Sequence, residues 1–227
     1  MAKTLQILNL GRCSYGRALE IQYDFLKKRQ EGLITDTLIL VEHPKVITLG
    51  KSASKEHIVV SEEALKKAGV ELFEINRGGD VTYHGEGQLV GYPIVNLIEK
   101  KWKVRSFVEN LELVFIRLLK EYGIESEAGT KEIGVWIGNE KITAIGLAVK
   151  RGVTMHGFAF NINTQLEDFQ FIVPCGIQDK GVTSLKKLKG ETMDFERVSR
   201  QVIDHFTKVY EYDEIKDVNE DGFTTKA

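Results

Sequence analysis

Apolar positions along the chain repeat with two periods, and the change of period marks the elements. Leu5-Gln6-Ile7-Leu8-Asn9-Leu10 alternates and predicts the first strand. Ser14 follows as a candidate cap for a helix carrying Leu19, Tyr23 and Leu26, with Lys27-Lys28-Arg29 in its last turn, where cations suit the helix dipole. Asp36 to His43 reads as a buried strand closed by Pro44, with Val46-Ile47-Thr48-Leu49 as a short continuation. Ser61 to Ala68 predicts a short helix stopped by Gly69, and Glu71 to Ile75 a strand. In the next helix Phe107, Leu111, Val114, Phe115, Leu118 and Tyr122 recur at helical spacing. Ser106-Phe107-Val108-Glu109 is a capping box in front of that stripe, and Gly123 a stop behind it. Three β-type runs follow, Gly134–Ile137, Lys141–Val149 and Val153–Ile162. Gly138-Asn139 and Lys150-Arg151-Gly152 lie between them and predict consecutive antiparallel hairpins. Asp194 caps a last helix through Tyr210, and the acidic segment from about 215 to 227 reads as a frayed tail.

Strands and helices alternate first and hairpins dominate later. This predicts an α/β (α+β) fold, a mixed β-sheet with flanking helices, built as a single domain over 1–227. Composition adds exclusions. Hydrophobic residues make up 42% of the 227, enough for a core, and no apolar run approaches the ~20 residues needed to span a bilayer. A net charge of −2 argues against a nucleic-acid binder. Two widely separated cysteines and no signal-like N-terminus point to a reducing, cytoplasmic setting. The five histidines show no metal spacing, so no metal and no cofactor are expected.

Candidate chemistry gathers at Arg77–Pro93, RGGDVTYHGEGQLVGYP, which holds five glycines between strand-like runs. Two bare or bent backbone stretches, Gly78-Gly79 and Gly85 with Gly87, flank Val81-Thr82-Tyr83, leaving Arg77 and His84 at the edges of a gap. The spacing G-x-G-x-x-x-G misses the dinucleotide fingerprint. Gly50-Lys51-Ser52 has the tail of a phosphate loop, but Lys45 stands where its first glycine belongs. A glycine-rich hairpin with bulges is the plainer reading. Cys175, between Pro174 and Gly176, is either a small buried side chain or a presented thiol. A free thiol titrates near ~8.5 and needs a neighbouring cation to become a thiolate. Lys141 opens an apolar strand, either in solvent or turned into a cleft where proton exchange is possible. His84 and His156, each beside a glycine, fit a substrate carbonyl, a loop contact or a satisfied core position.

Taken in order, EHPKVITLGK, RGGDVTYHGEGQLVGYPI, KITAIGLAVKRGVTMHGFAFNI and PCGI resemble the lipoyl(octanoyl) transferase family over most of Leu38–Leu185. Two departures stand out: Glu86 and Ile133 occupy positions where the family has proline. The resemblance implies a biotin/lipoate transferase-like fold and transfer of an octanoyl group from acyl carrier protein to a lysine of lipoyl domains. Those domains belong to 2-oxoacid dehydrogenases and the glycine cleavage H protein. It further implies Cys175 as acyl-thioester nucleophile and Lys141 as its activating partner. Substrate binding falls on Arg77, Gly78, Gly79, Asp80, Val81, Thr82, Tyr83 and His84, on Ala144, Ile145 and Gly146, and on Gly157, Phe158 and Ala159. Small residues there leave room for an acyl chain, and their amides suit an oxyanion. Two basic clusters, Lys100, Lys101, Lys103 with Arg105 and Lys186, Lys187 with Lys189, suit an acidic carrier or a solvated surface. The competing readings are an ATP-dependent lipoate or biotin ligase and a non-catalytic module for acylated carriers; no nucleic acid or membrane partner is implied.

Overall fold

The structure, a computed structural model, describes residues 2–130, 132–172 and 181–222. In chain order, the first strand is β1 (Thr4–Arg12), followed by helix α1 (Tyr15–Gln30) and the strands β2 (Asp36–Glu42) and β3 (Val46–Leu49). Helix α2 (Glu62–Lys67) leads to β4 (Glu71–Glu74), β5 (Val81–His84) and β6 (Gln88–Ile94). The long helix α3 (Val104–Glu121) precedes β7 (Glu127–Ala128), β8 (Gly134–Ile137), β9 (Glu140–Lys150) and β10 (Val153–Asn161). Last come β11 (Gly181–Val182), helices α4 (Leu185–Lys189) and α5 (Phe195–Val209), and β12 (Glu214–Asp217).

The main sheet runs β12-β1-β2-β6-β10-β9-β8-β7, with β11 added parallel to β9. Its two faces bury different helices. Phe107, Leu111, Phe115 and Leu118 of α3 and Val198, Val202 and Phe206 of α5 pack on Leu38, Leu40, Phe158 and Phe160. Ala18, Ile21 and Phe25 of α1 pack on Ile39, Val41, Val90 and Met155. The stripe predicted for α3 is therefore core, and the hairpins β8–β9 and β9–β10 are antiparallel as the turn residues require. A mixed sheet with flanking helices is what alternation followed by hairpins encodes. Among the described residues, no helix is long and apolar enough to cross a membrane.

Three expectations change. β3 does not continue β2: it pairs with β4 and β5 in a separate three-stranded sheet with its own small core of Ile47, Leu65, Val81, Tyr83 and Ile172. Ser106 does not cap α3, because the helix begins earlier, at Val104. Glu109 then lies within reach of Arg105, with Arg105 Nε donating to Oε1 at 2.8 Å. The segment expected to fray is tied down over Glu214–Asp217, which pairs in parallel with β1, and Val218 is buried behind it. Asp194 caps α5 as expected, its Oδ1 accepting from Arg197 N, and Ser61 Oγ likewise accepts from Ala64 N at the start of α2, whereas Ser14 stands at the N-cap of α1 with no side-chain bond.

A buried ionic knot locks the α1 side of this frame. Asp36 receives Arg29 Nε at 2.9 Å, Lys100 Nζ at 3.2 Å and Tyr212 Oη at 2.9 Å. Every partner is needed, since a buried carboxylate left uncompensated is strongly destabilising.

Candidate active site

The small sheet leans over β9, and the glycine-rich arch between β4 and β5 closes the gap. Gly78 N donates to Leu147 O at 2.9 Å, fastening the arch to the main sheet. A second turn backs it: Gly50 N donates to Asp80 O, Lys51 N to Arg77 O and Ser52 N to Gly79 O. Gly50-Lys51-Ser52 is thus a brace for the arch rather than a phosphate loop. Arg77 is buried and spends its guanidinium inward, with Nη2 donating to Thr48 O at 2.8 Å and Nη1 to Gly78 O at 3.0 Å.

Beneath the arch lies a cleft of about 630 Å³, a size typical of small-molecule sites. Lys141 reaches it through an irregularity in β9. Val135 pairs with Thr143 but Trp136 with Lys141, so Ile142 is an extra residue, a β-bulge. Ile142 drops into the core and Lys141 joins Ala144 and Gly146 along the cleft. The Lys141 stem crosses Gly134, where an added Cβ would stand 3.4 Å from its Cδ, and Nζ sits 4.6 Å from the Trp136 ring centroid. The cleft reading of this lysine is the one the geometry supports.

Further in, the cleft shares a wall of Arg77, Thr82, Ala144–Gly146 and Ala159 with a smaller chamber of about 50 Å³. Tyr15, His84, Tyr92, His156 and Gly157 complete that chamber. Its lining is polar, with the Arg77 guanidinium as a charged member beside neutral imidazoles. Burial pushes His43 down to about 4, His84 to about 3 and His156 to about 4, so all three rings are neutral at pH 7. His84 Nδ1 is 2.7 Å from Gln88 Oε1, and His43 Nε2 is 2.7 Å from Tyr92 Oη.

Of the residues assigned to substrate binding, Arg77–Thr82, His84, Ala144–Gly146 and Gly157–Ala159 line one cavity or the other. Tyr83 lines neither: its ring belongs to the small core and its hydroxyl donates to Asp168 at 2.7 Å. The expected role of the small residues also shifts. A Cβ on Gly146 would stand 2.9 Å from Gly78 O, and one on Gly157 only 2.1 Å from Gly91 O. Those glycines let neighbouring backbone approach. The Gly78 amide, committed to Leu147, is not an oxyanion donor.

Cys175 lies outside the described residues. The chain on either side of 173–180 does reach the cleft, through Phe169 before it and Val182 after it, and Val182 is the strand partner of Lys141. Cys13 is half-buried against the α1 core, and desolvation raises its thiol. Among the described residues, no group of three His, Cys, Asp or Glu could hold a metal ion.

Periodicity missed several cleft residues. Tyr15, Tyr92, Val104 and Val108 all look like core positions in the sequence. Ile133, one of the two departures from the family pattern, lines the cleft and is half exposed at its mouth. Glu86, the other, forms an ion pair with Arg12 on β1. The basic clusters are largely spoken for. Lys100 Nζ is held by Asp36 and lies over Tyr212, Lys187 pairs with Glu140, and Lys189 donates to Tyr122 O.

The lipoyl protein ligase A/B catalytic domain matches residues 14–207. An octanoyltransferase of Alkaliphilus metalliredigens is 54% identical over 94% of this chain and 99% of its own. One from Caldicellulosiruptor bescii is 54% identical over 91% of each. In fold, a lipoate-protein ligase A bound with ATP superposes with a TM-score of 0.76 at 16% identity, covering 96% of this chain and 89% of that one. A bi-partite lipoate protein ligase from Thermoplasma acidophilum gives 0.74 at 17%, covering 96% and 87%. Sequence shared over nearly its whole length with those two relatives places the chain in a family: it belongs to the octanoyltransferases of the lipoyl protein ligase A/B catalytic-domain family.

Proposed function

We propose that the chain transfers an octanoyl group from acyl carrier protein to a lysine of lipoyl domains, in the cytoplasm, through a thioester on Cys175. The acceptors are the lipoyl domains of 2-oxoacid dehydrogenases and the glycine cleavage H protein. One observation carries the reading: a bulge turns Lys141 into an acyl-sized cleft whose wall also includes the described chain on both sides of Cys175's segment.

The chemistry follows in two half-reactions. The Cys175 thiolate attacks the donor thioester, and the carrier thiol leaves with a proton from Lys141. One thioester replaces another of similar energy, so no ATP is consumed. The acceptor amine then attacks the acyl-enzyme, with Lys141 accepting a proton and the Cys175 thiolate departing. Amide formation makes this step downhill. Across both steps Lys141 gives a proton and later takes one back, which suits an amine in a half-enclosed cleft.

The ligase reading shares the fold but requires adenylation. Incubating the protein with octanoyl-carrier protein and a lipoyl domain, and weighing the lipoyl domain, separates the two. One octanoyl group gained without ATP is the expected result; gain only with ATP and free octanoate would overturn the proposal.

A further inference from the structure

His156 has no part in the transfer chemistry, and its placement is unusual. It is 2% exposed, and among the described residues neither ring nitrogen has a hydrogen-bond partner. Its φ of 57° is left-handed, rare for a non-glycine residue inside a strand. Phe158 and Phe160 of β10 pack in the α3–α5 core, and Phe158 also borders the inner chamber. His156 lines that chamber as well, beside Gly157 and Ala159. Gln22 Oε1 on α1 accepts from the His156 amide at 3.0 Å and holds the backbone in this turn. Such backbone outliers persist where the surroundings enforce them, and they gather at working sites.

Lys141 lines the cleft but not the chamber, and the two spaces meet at the shared wall of Ala144–Gly146. An acyl chain with its carbonyl at Lys141 that passes this wall meets His156. The chamber has room for about one or two waters. A buried imidazole needs such a partner, and an alkyl terminus cannot supply one.

Resting on the octanoyl-transfer reading, we propose that His156 closes the acyl channel as a polar stop. Its ring holds ordered water in the inner chamber, and a chain longer than the channel must displace that water and strand the ring nitrogens. The magnitudes support a working stop. Two further methylenes would gain about fifteenfold in affinity if they met apolar surroundings. Stranding a buried polar group costs on the order of ten- to a hundredfold, enough to cancel or reverse that gain.

The test measures kcat/KM for octanoyl- and decanoyl-carrier protein with wild type, His156→Met and His156→Gln. Methionine has similar volume without the polar demand; glutamine keeps the demand. The decanoyl-to-octanoyl ratio should rise at least about tenfold in His156→Met and stay within about twofold of wild type in His156→Gln. An unchanged ratio in His156→Met, or an equal rise in both variants, would overturn the proposal. Where His156→Met does not fold, wild type alone decides. A 10-hydroxydecanoyl chain, whose hydroxyl replaces the water, should transfer about tenfold better than decanoyl, and equal rates would overturn the stop. Failure of wild type to transfer octanoyl at all would instead sink the function proposed above.

Discussion

The outer cleft and the inner chamber share one wall and differ in their titratable groups. Outside, a bulge brings the Lys141 amine over the Trp136 ring, into a cleft of about 630 Å³. Inside, His84 and His156 line the chamber with Tyr15 and Tyr92, His43 stands against Tyr92, and burial keeps the three imidazoles uncharged. On the proposed transfer, proton exchange at Lys141 and the contact that limits chain length at His156 fall in two spaces on either side of one wall.

That contrast breaks most sharply at Lys141. Lys141→Ala should lower single-turnover rates of acylation and deacylation by about 10²–10⁴, with carrier binding and thermal midpoint close to wild type. Wild-type rates for both half-reactions would remove its assigned role.

Protonation tests the inner region. The three histidines titrate lower folded than unfolded, where the reference value is near 6.5, so the unfolded chain binds the extra protons. Stability is then full above about pH 6.5 and falls as pH drops toward the folded values near 3 to 4. At pH 5 the loss is about 2 kcal/mol for each histidine. Urea melts at pH 7 and pH 5 measure it; His43→Gln should flatten the dependence by about one histidine's share, and a wild-type curve flat across that window would contradict the neutrality of the three imidazoles.

The shared wall is next in size. Gly146→Ala would push Gly78 O from 2.9 Å and lift the arch, so kcat/KM should fall about tenfold while stability changes by about 1 kcal/mol. An alanine variant of full activity would show that the arch is not held to tolerance. The smallest effect belongs to surface charge. Lys186→Glu should raise KM for the carrier substrate about two- to threefold at low salt, and this difference should vanish at high salt.

How much of this the sequence carried depends on the range of the contact. The α3 stripe from Phe107 to Leu118 and the hairpins around Gly138 and Lys150-Arg151-Gly152 are local patterns, and both were legible. Which sheet β3 joins was not, because Val46–Leu49 reads alike beside β2 or beside β4. Parallel pairing of β12 with β1 bridges some two hundred residues, and the short run Glu214-Ile215-Lys216-Asp217 has no apolar face to announce it. The bulge at Ile142 is equally silent: alternation from Lys141 gives a facing that one extra residue inverts. His156 stood out beside Gly157, yet its left-handed turn and lack of a partner are properties of the packed chamber.

The proposed transfer passes through a covalent octanoyl thioester on Cys175, with Lys141 as its proton partner. Intact-mass measurement after mixing with octanoyl-carrier protein, in the absence of ATP, tests it most directly. Wild type should gain the mass of one octanoyl group and Cys175→Ala none. A wild type that stays unmodified, or an adduct that persists in Cys175→Ala, would contradict the account.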